Sequence, residues 1–205
     1  MTREEQKKYK ELTKVLPKIL KEKIKKYKFK KKDFMIWYSK KELFFDLLID
    51  VKVRPNGKCY CTTIEKIKPL WLDELLWDLL KMENNKVEPL SLRAIGAFTV
   101  SGAELFEDKT ELVEWSIEEL EEAIDTYLEH FSMSIKSSKI NDFYNNLEIS
   151  TYHSELRKSL SLVYNHKYQE ALNSLNLNED GGFRNGNISI NDAIKECCEN
   201  KLSNC

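Results

Sequence analysis

"LFFDLLIDVKVRPNGKCYCTTIEKI", residues 43–67, decides the fold. From Leu43 the side chains alternate with a period of two, so Leu43, Phe45, Leu47, Ile49, Val51 and Val53 share one face. Phe44, Asp46, Leu48, Asp50, Lys52 and Arg54 share the other. Asn56-Gly57 then supplies the strongest short hairpin signal, because these residues tolerate the positive φ that a tight reversal needs. Lys58 to Ile67 is expected to return as the antiparallel partner.

On the N-terminal side, Phe34 to Ser39 reads as a further strand. Before it the period changes to 3.6: Tyr9, Leu12, Leu16, Ile19, Leu20 and Tyr27 fall on one side of a long helix. Lys7, Lys14, Lys18, Lys21 and Lys25 form a stripe opposite, roughly 27 Å long at about 1.5 Å per residue. Pro17 predicts a kink or a restart.

On the C-terminal side, Pro69 closes the hairpin and opens "PLWLDELLWDLLKM", apolar nearly all round and so expected to be deeply buried. Leu92 to Val100 reads as another strand. Ser116 with Glu119 matches a capping box at the start of an acidic helix, whose apolar face is Ile117, Leu120, Ile124, Tyr127, Leu128 and Phe131. Short helices are expected at 152–164, 166–175 and 190–200, with a turn at "NEDGGFRNGN".

These elements predict an α+β fold: an antiparallel sheet of about four strands with helices packed on one face, plus a small C-terminal helical appendage. Residues 1–135 read as the α+β domain and 136–205 as the appendage. The expected core includes Leu43, Phe45, Leu47, Ile49, Trp71, Leu75, Leu79, Phe98, Leu120 and Ile124.

The net charge of −1 hides two opposite halves. Residues 1–41 carry sixteen Lys/Arg and five Asp/Glu, whereas residues 102–130 carry eleven acids and one lysine. The basic half centres on "KEKIKKYKFKKKD", residues 21–33. Lys14, Lys18, Lys21, Lys25, Lys28, Lys30, Lys31 and Lys32 are therefore the candidate residues for binding an anion or an acidic partner. Solvated helix surface is the competing reading, since an amphipathic helix must put its polar residues somewhere. The near-absence of arginine weakens a phosphate-binding reading, because lysine lacks the planar fork that grips phosphate in two places.

No catalytic, metal or cofactor motif stands out. The histidines at 130, 153 and 166 are scattered, and neither a nucleophile elbow nor a phosphate-binding glycine loop is present. Asp46, Asp50 and Glu65 read as partners in cross-strand ion pairs with Lys52 and Lys66 rather than as metal ligands. The five cysteines form no C-x-x-C pair and read as reduced thiols. No apolar run approaches a membrane span, and the charged N-terminus does not read as a signal peptide, so a cytoplasmic protein is expected.

The order of a leading helix, the Phe29-Lys30-Lys31-Lys32 junction, the hairpin and then "KPLWLDELLW" resembles bacterial domains of unknown function, over about residues 10–130. Those domains often carry a glycine where this chain has Lys28. The resemblance implies an α+β fold in a cytosolic bacterial protein, and it carries no catalytic residues. The preferred functional expectation is a non-enzymatic protein-interaction module with oppositely charged poles, for which an immunity or regulatory role fits. A nucleic-acid-binding protein using the lysine stripe and an enzyme without a recognisable motif are the alternatives, and opposite poles also permit head-to-tail self-association.

Overall fold

The structure is a computed structural model that describes residues 2–147, 152–176 and 181–204. In chain order its elements are α1 (Arg3–Lys23), β1 (Lys30–Lys32), β2 (Met35–Lys40), β3 (Leu43–Val53), β4 (Cys59–Pro69), α2 (Leu70–Leu79), α3 (Leu92–Ile95), β5 (Ala103–Leu112) and α4 (Ile117–Ser137). There follow α5 (Ile140–Asn145), α6 (Ser154–Tyr164), α7 (Tyr168–Ser174), β6 (Arg184–Asn185), β7 (Ile188–Ser189) and α8 (Ile190–Ser203). The fold is α+β. No helix among the described residues is long and apolar enough to cross a membrane.

The chain forms two compact units, Met1–Ile67 with Glu104–Lys139, and Lys68–Ala103 with Ile140–Cys205. The first is built on the antiparallel meander β1-β2-β3-β4-β5, one strand more than the sequence suggests. The β3–β4 hairpin closes with Gly57 N–H donating to Arg54 O at 2.9 Å, and Arg54 N–H donating to Lys58 O at 3.0 Å. Gly57 stands at φ +81, so the loop has three residues and ends in a glycine bulge. Trp37 lies opposite Asp46, and Ile36 opposite Leu47, in the β2–β3 ladder.

The extra strand is β1, a three-residue edge paired to β2, with Lys30 opposite Trp37. The strand expected over Leu92 to Val100 does not form. Leu92–Ile95 winds into one helical turn, with Gly96 N–H bonded to Leu92 O at 2.6 Å. The fifth strand is instead the acid-rich Ala103–Leu112. As an edge strand it hydrogen-bonds to one neighbour and buries little side-chain surface, so charge is tolerated there.

Helices α1 and α4 pack against each other and against β3. Helix α1 is a single helix that carries Pro17 inside it rather than restarting, with Leu12, Leu16, Ile19 and Leu20 buried. Both helices start with a capping box, Thr2 with Glu5 and Ser116 with Glu119. Such a cap contributes about 1 kcal/mol to each start. Tyr127 of α4 locks onto the sheet: its hydroxyl donates to Cys61 O at 3.1 Å and accepts from Thr110 Oγ at 2.8 Å.

In the second unit α2 begins directly after Pro69. Leu72, Leu76, Trp77 and Leu80 are buried, whereas the expected core residues Trp71, Leu75, Leu79 and Phe98 are only half-buried. Trp71 stacks on Tyr164 with ring centroids 3.9 Å apart, so part of that aromatic face is covered by a partly exposed ring. Helices α6, α7 and α8 pack together, and β6 and β7 form a small hairpin within the turn expected at 178–187. Residues 178–180 of that turn lie outside the described residues.

Candidate functional site

The helical period of α1 brings the lysines to one surface. Lys14, Lys18, Lys21, Lys25, Lys28, Lys30 and Lys32 are all exposed, and none of them forms an ion pair among the described residues. Lys28 ends the short 3₁₀ turn at Ile24–Tyr27 in the left-handed conformation, φ +59 and ψ 24. That is the geometry a glycine adopts without strain. Lys30 lays its ammonium 4.9 Å from the Trp37 ring centre, a cation–π contact that leaves the charge at the surface. Lys31 is half-buried and donates to Asp33 O.

The two charge poles form an ion pair inside the first unit through Lys23, which was not among the candidates. Lys23 Nζ is 2.6 Å from Asp125 and 3.9 Å from Glu121, tying α1 to the acidic helix. Periodicity had a signal for it: at 100° per residue Lys23 falls on the apolar face, between the directions of Leu12 and Leu16 and roughly opposite the lysine stripe. Lys40 plays a related part, donating to Ile135 O at 2.7 Å and Lys136 O at 3.0 Å in the last turn of α4. A cation there meets the negative end of the helix dipole.

Beside the lysine surface lies an apolar groove of about 620 Å³, lined by Leu16, Pro17, Leu20, Phe34, Leu48 and Ile49. Lys31, Asp33 and Asp50 complete its wall. Phe34 projects there with 62 % of its surface exposed. Sequence reasoning placed Phe34 in a strand and missed the groove, which brings together a helix, a turn and β3.

The carboxylates separate instead of converging. Asp50 accepts from Val51 N–H and sits 3.6 Å from Lys52, a neighbour two residues along the same strand rather than a cross-strand partner. Glu65, expected near Lys66, is fully buried and turned to α4 instead. His130 Nδ1 and Ser134 Oγ each lie 2.8 Å from its carboxylate oxygens. Burial raises its pKa, while the hydrogen bonds from His130 and Ser134 pull it back. Phe106 stacks on His130 at 3.9 Å and holds the imidazole in place.

Among the described residues no group of three His, Cys, Asp or Glu side chains gathers where a metal ion could sit. The four described cysteines are free thiols. Burial pushes Cys59 up to about 11 and Cys61 to about 12, so neither is poised as a nucleophile. The second unit has a cavity of about 500 Å³ lined by His153, Glu155, Ser159, Ser174 and Asn191, among others. Its polar groups serve the local framework. His153 Nδ1 accepts from Ser101 N–H, Ser159 and Ser174 hydrogen-bond at 3.0 Å, and Asn191 Nδ2 donates to Asn176 O.

Comparison with protein-family models, with curated proteins and with solved structures finds no match to this chain. The features of the site therefore rest on its own residues.

Proposed function

We propose that this chain is a binding module whose lysine-covered surface docks an acidic partner protein. The observation that carries the reading is the pairing pattern: Lys23 is engaged by Asp125 and Glu121, while Lys14, Lys18, Lys21 and Lys25 stand exposed with no carboxylate partner among the described residues. Folding thus pairs Lys23 with carboxylates and leaves Lys14, Lys18, Lys21 and Lys25 for an external counter-charge. Four solvated lysine–carboxylate contacts at about 0.5 kcal/mol each amount to roughly 2 kcal/mol, enough to steer and orient a partner. Lysine in place of arginine favours carboxylates and flexible charge matching over bidentate phosphate capture.

The test uses labelled poly-glutamate peptide and short single- and double-stranded nucleic acids, titrated by fluorescence anisotropy at low and moderate salt. Wild type is compared with the variant K14E/K18E/K21E/K25E. Salt-sensitive peptide binding that the variant loses supports the reading. Binding of nucleic acid in place of the peptide replaces the partner class, and binding that survives the four reversals removes the lysine surface from the argument.

A further inference from the structure

We infer that the groove beside α1 is an anchor pocket, taking one large apolar side chain of an acidic peptide segment whose carboxylates lie along the lysine stripe. This rests on the docking reading above and names the kind of segment that fits. Three observations converge on it.

The first is adjacency. Pro17 lines the groove, and Lys14 and Lys21, three residues before it and four after, flank it on the same side of α1. A chain lying on the stripe therefore passes the mouth of the groove within one helical turn.

The second is shape. The floor is made of Leu16 and Leu20, which are buried, and the wall of Phe34 and half-buried Leu48. At about 620 Å³ the space falls in the range of clefts that hold a ligand, roughly 300–1,000 Å³. Phe34 projects from the β1–β2 turn, where Asp33 takes φ +51 and Lys31 bonds to the Asp33 carbonyl. At 62 % exposure Phe34 continues the apolar lining of the groove out to the surface, where a large aromatic ring suits a contact residue.

The third is charge. On the helix side Lys14 and Lys21 flank Pro17 and form no ion pair among the described residues, and the other wall carries Lys31, bonded to Asp33 O, with Asp33 and Asp50, which is paired with Lys52. The acidic residues of an occupant are thus directed to the α1 side, which fixes its orientation. An anionic membrane fits less well. Its headgroups would meet Asp33 and Asp50, and of the apolar lining Leu16, Leu20 and Ile49 are buried rather than protruding.

The experiment uses three probes on the full chain: a glutamate-rich peptide with one central tryptophan, the same peptide with serine there, and vesicles containing phosphatidylserine. Wild type is compared with Phe34→Ser and with the four-lysine variant, each checked by circular dichroism. The tryptophan peptide is expected to bind wild type about tenfold more tightly than the serine peptide, the gain from burying roughly half of an aromatic side chain. Phe34→Ser should remove that gain and leave serine-peptide binding unchanged. The lysine variant should weaken both peptides.

A photo-crosslinking phenylalanine analogue in place of the tryptophan should label residues of the groove, a readout independent of the Phe34 variant. If both peptides bind wild type equally and in a salt-sensitive way, the docking surface stands and the anchor is overturned. If neither peptide binds, both readings fall. Binding to vesicles alone, or crosslinks outside the groove, also overturns the anchor.

Discussion

The heaviest electrostatic commitment in the structure lies in the second unit, and it makes a sharp prediction. Lys68, 1 % exposed, places Nζ 2.8 Å from Asp73 Oδ2, and donates to Arg93 O at 2.9 Å and Val100 O at 2.8 Å. Asp73, fully buried, also accepts from Val100 N–H at 2.8 Å, and Arg93 Nη1 stands 3.7 Å away. Arg93 in turn reaches Glu74 at 2.8 Å and lies over the Trp77 ring. At an effective dielectric of about 20, charges at this separation attract by roughly 6 kcal/mol, which is offset by a desolvation cost of several kcal/mol per ion. The pair is therefore close to break-even as a pair and costly when halved.

Asp73→Asn keeps an acceptor for Val100 N–H but removes the carboxylate charge 2.8 Å from the buried Lys68 ammonium. It should cost about 3–5 kcal/mol. Lys68→Met should cost less, about 2–3 kcal/mol, because Asp73 keeps the Val100 N–H and the nearby Arg93 guanidinium. The double variant Lys68→Met/Asp73→Asn should be more stable than Asp73→Asn alone. Urea unfolding reads this out, followed by fluorescence together with hydrogen exchange at the Val100 amide. With a slope near 2 kcal/mol per molar, Asp73→Asn should move the midpoint down by about 2 M. A drop below about 0.5 M, or a double variant as destabilised as the sum of the singles, would refute the reasoning.

Three further outcomes are expected. Glu65 holds its proton above the ordinary 4.5, so the folded state binds more protons than the unfolded chain in the window above that value. Its contribution to stability is full below 4.5 and lost as pH rises through the folded pKa. Glu65→Gln should therefore gain in Tm relative to wild type between pH 4.5 and 7, and a difference flat with pH in calorimetry contradicts this. At pH 8 iodoacetamide should reach half-buried Cys197 well before Cys59, Cys61 or Cys198, whose thiols burial raises to about 11, 12 and 11; mass mapping that finds Cys61 labelled at a free-thiol rate would oppose it. Lys28→Gly relieves the left-handed residue at φ +59 and should raise stability by up to about 1 kcal/mol, measured by urea midpoint, with a loss as the contrary result.

Where local pattern and tertiary environment agree, the fold is legible residue by residue. Burial in β3 alternates from Leu47 to Lys52 because one face of the strand lies under α1 and α4, whereas Phe44 and Asp46 of the opposite face are buried as well, and Gly57 takes the positive φ that its place after Asn56 implies. Lys14, Lys18 and Lys21 are exposed because the 3.6 period that buries Leu12, Leu16, Ile19 and Leu20 puts them opposite. The groove had no such signal, since Phe34 and Leu48 reach it from separate elements. The buried pair left a clue that went unread: an acid at Asp73, inside a helix apolar nearly all round, requires a buried cation, and Lys68 stands five residues before it.

By itself, then, the sequence determined the β3–β4 hairpin, the capped acidic helix and the separation of charge, because each depends on periodicity, a turn residue or a cap within a few positions. Tertiary structure alone decided that Glu65 turns to His130 and that residues 68–103 cluster with the helices after 140. Those outcomes depend on which distant side chains remain to satisfy a buried charge or cover an apolar face, and no local pattern carries that information.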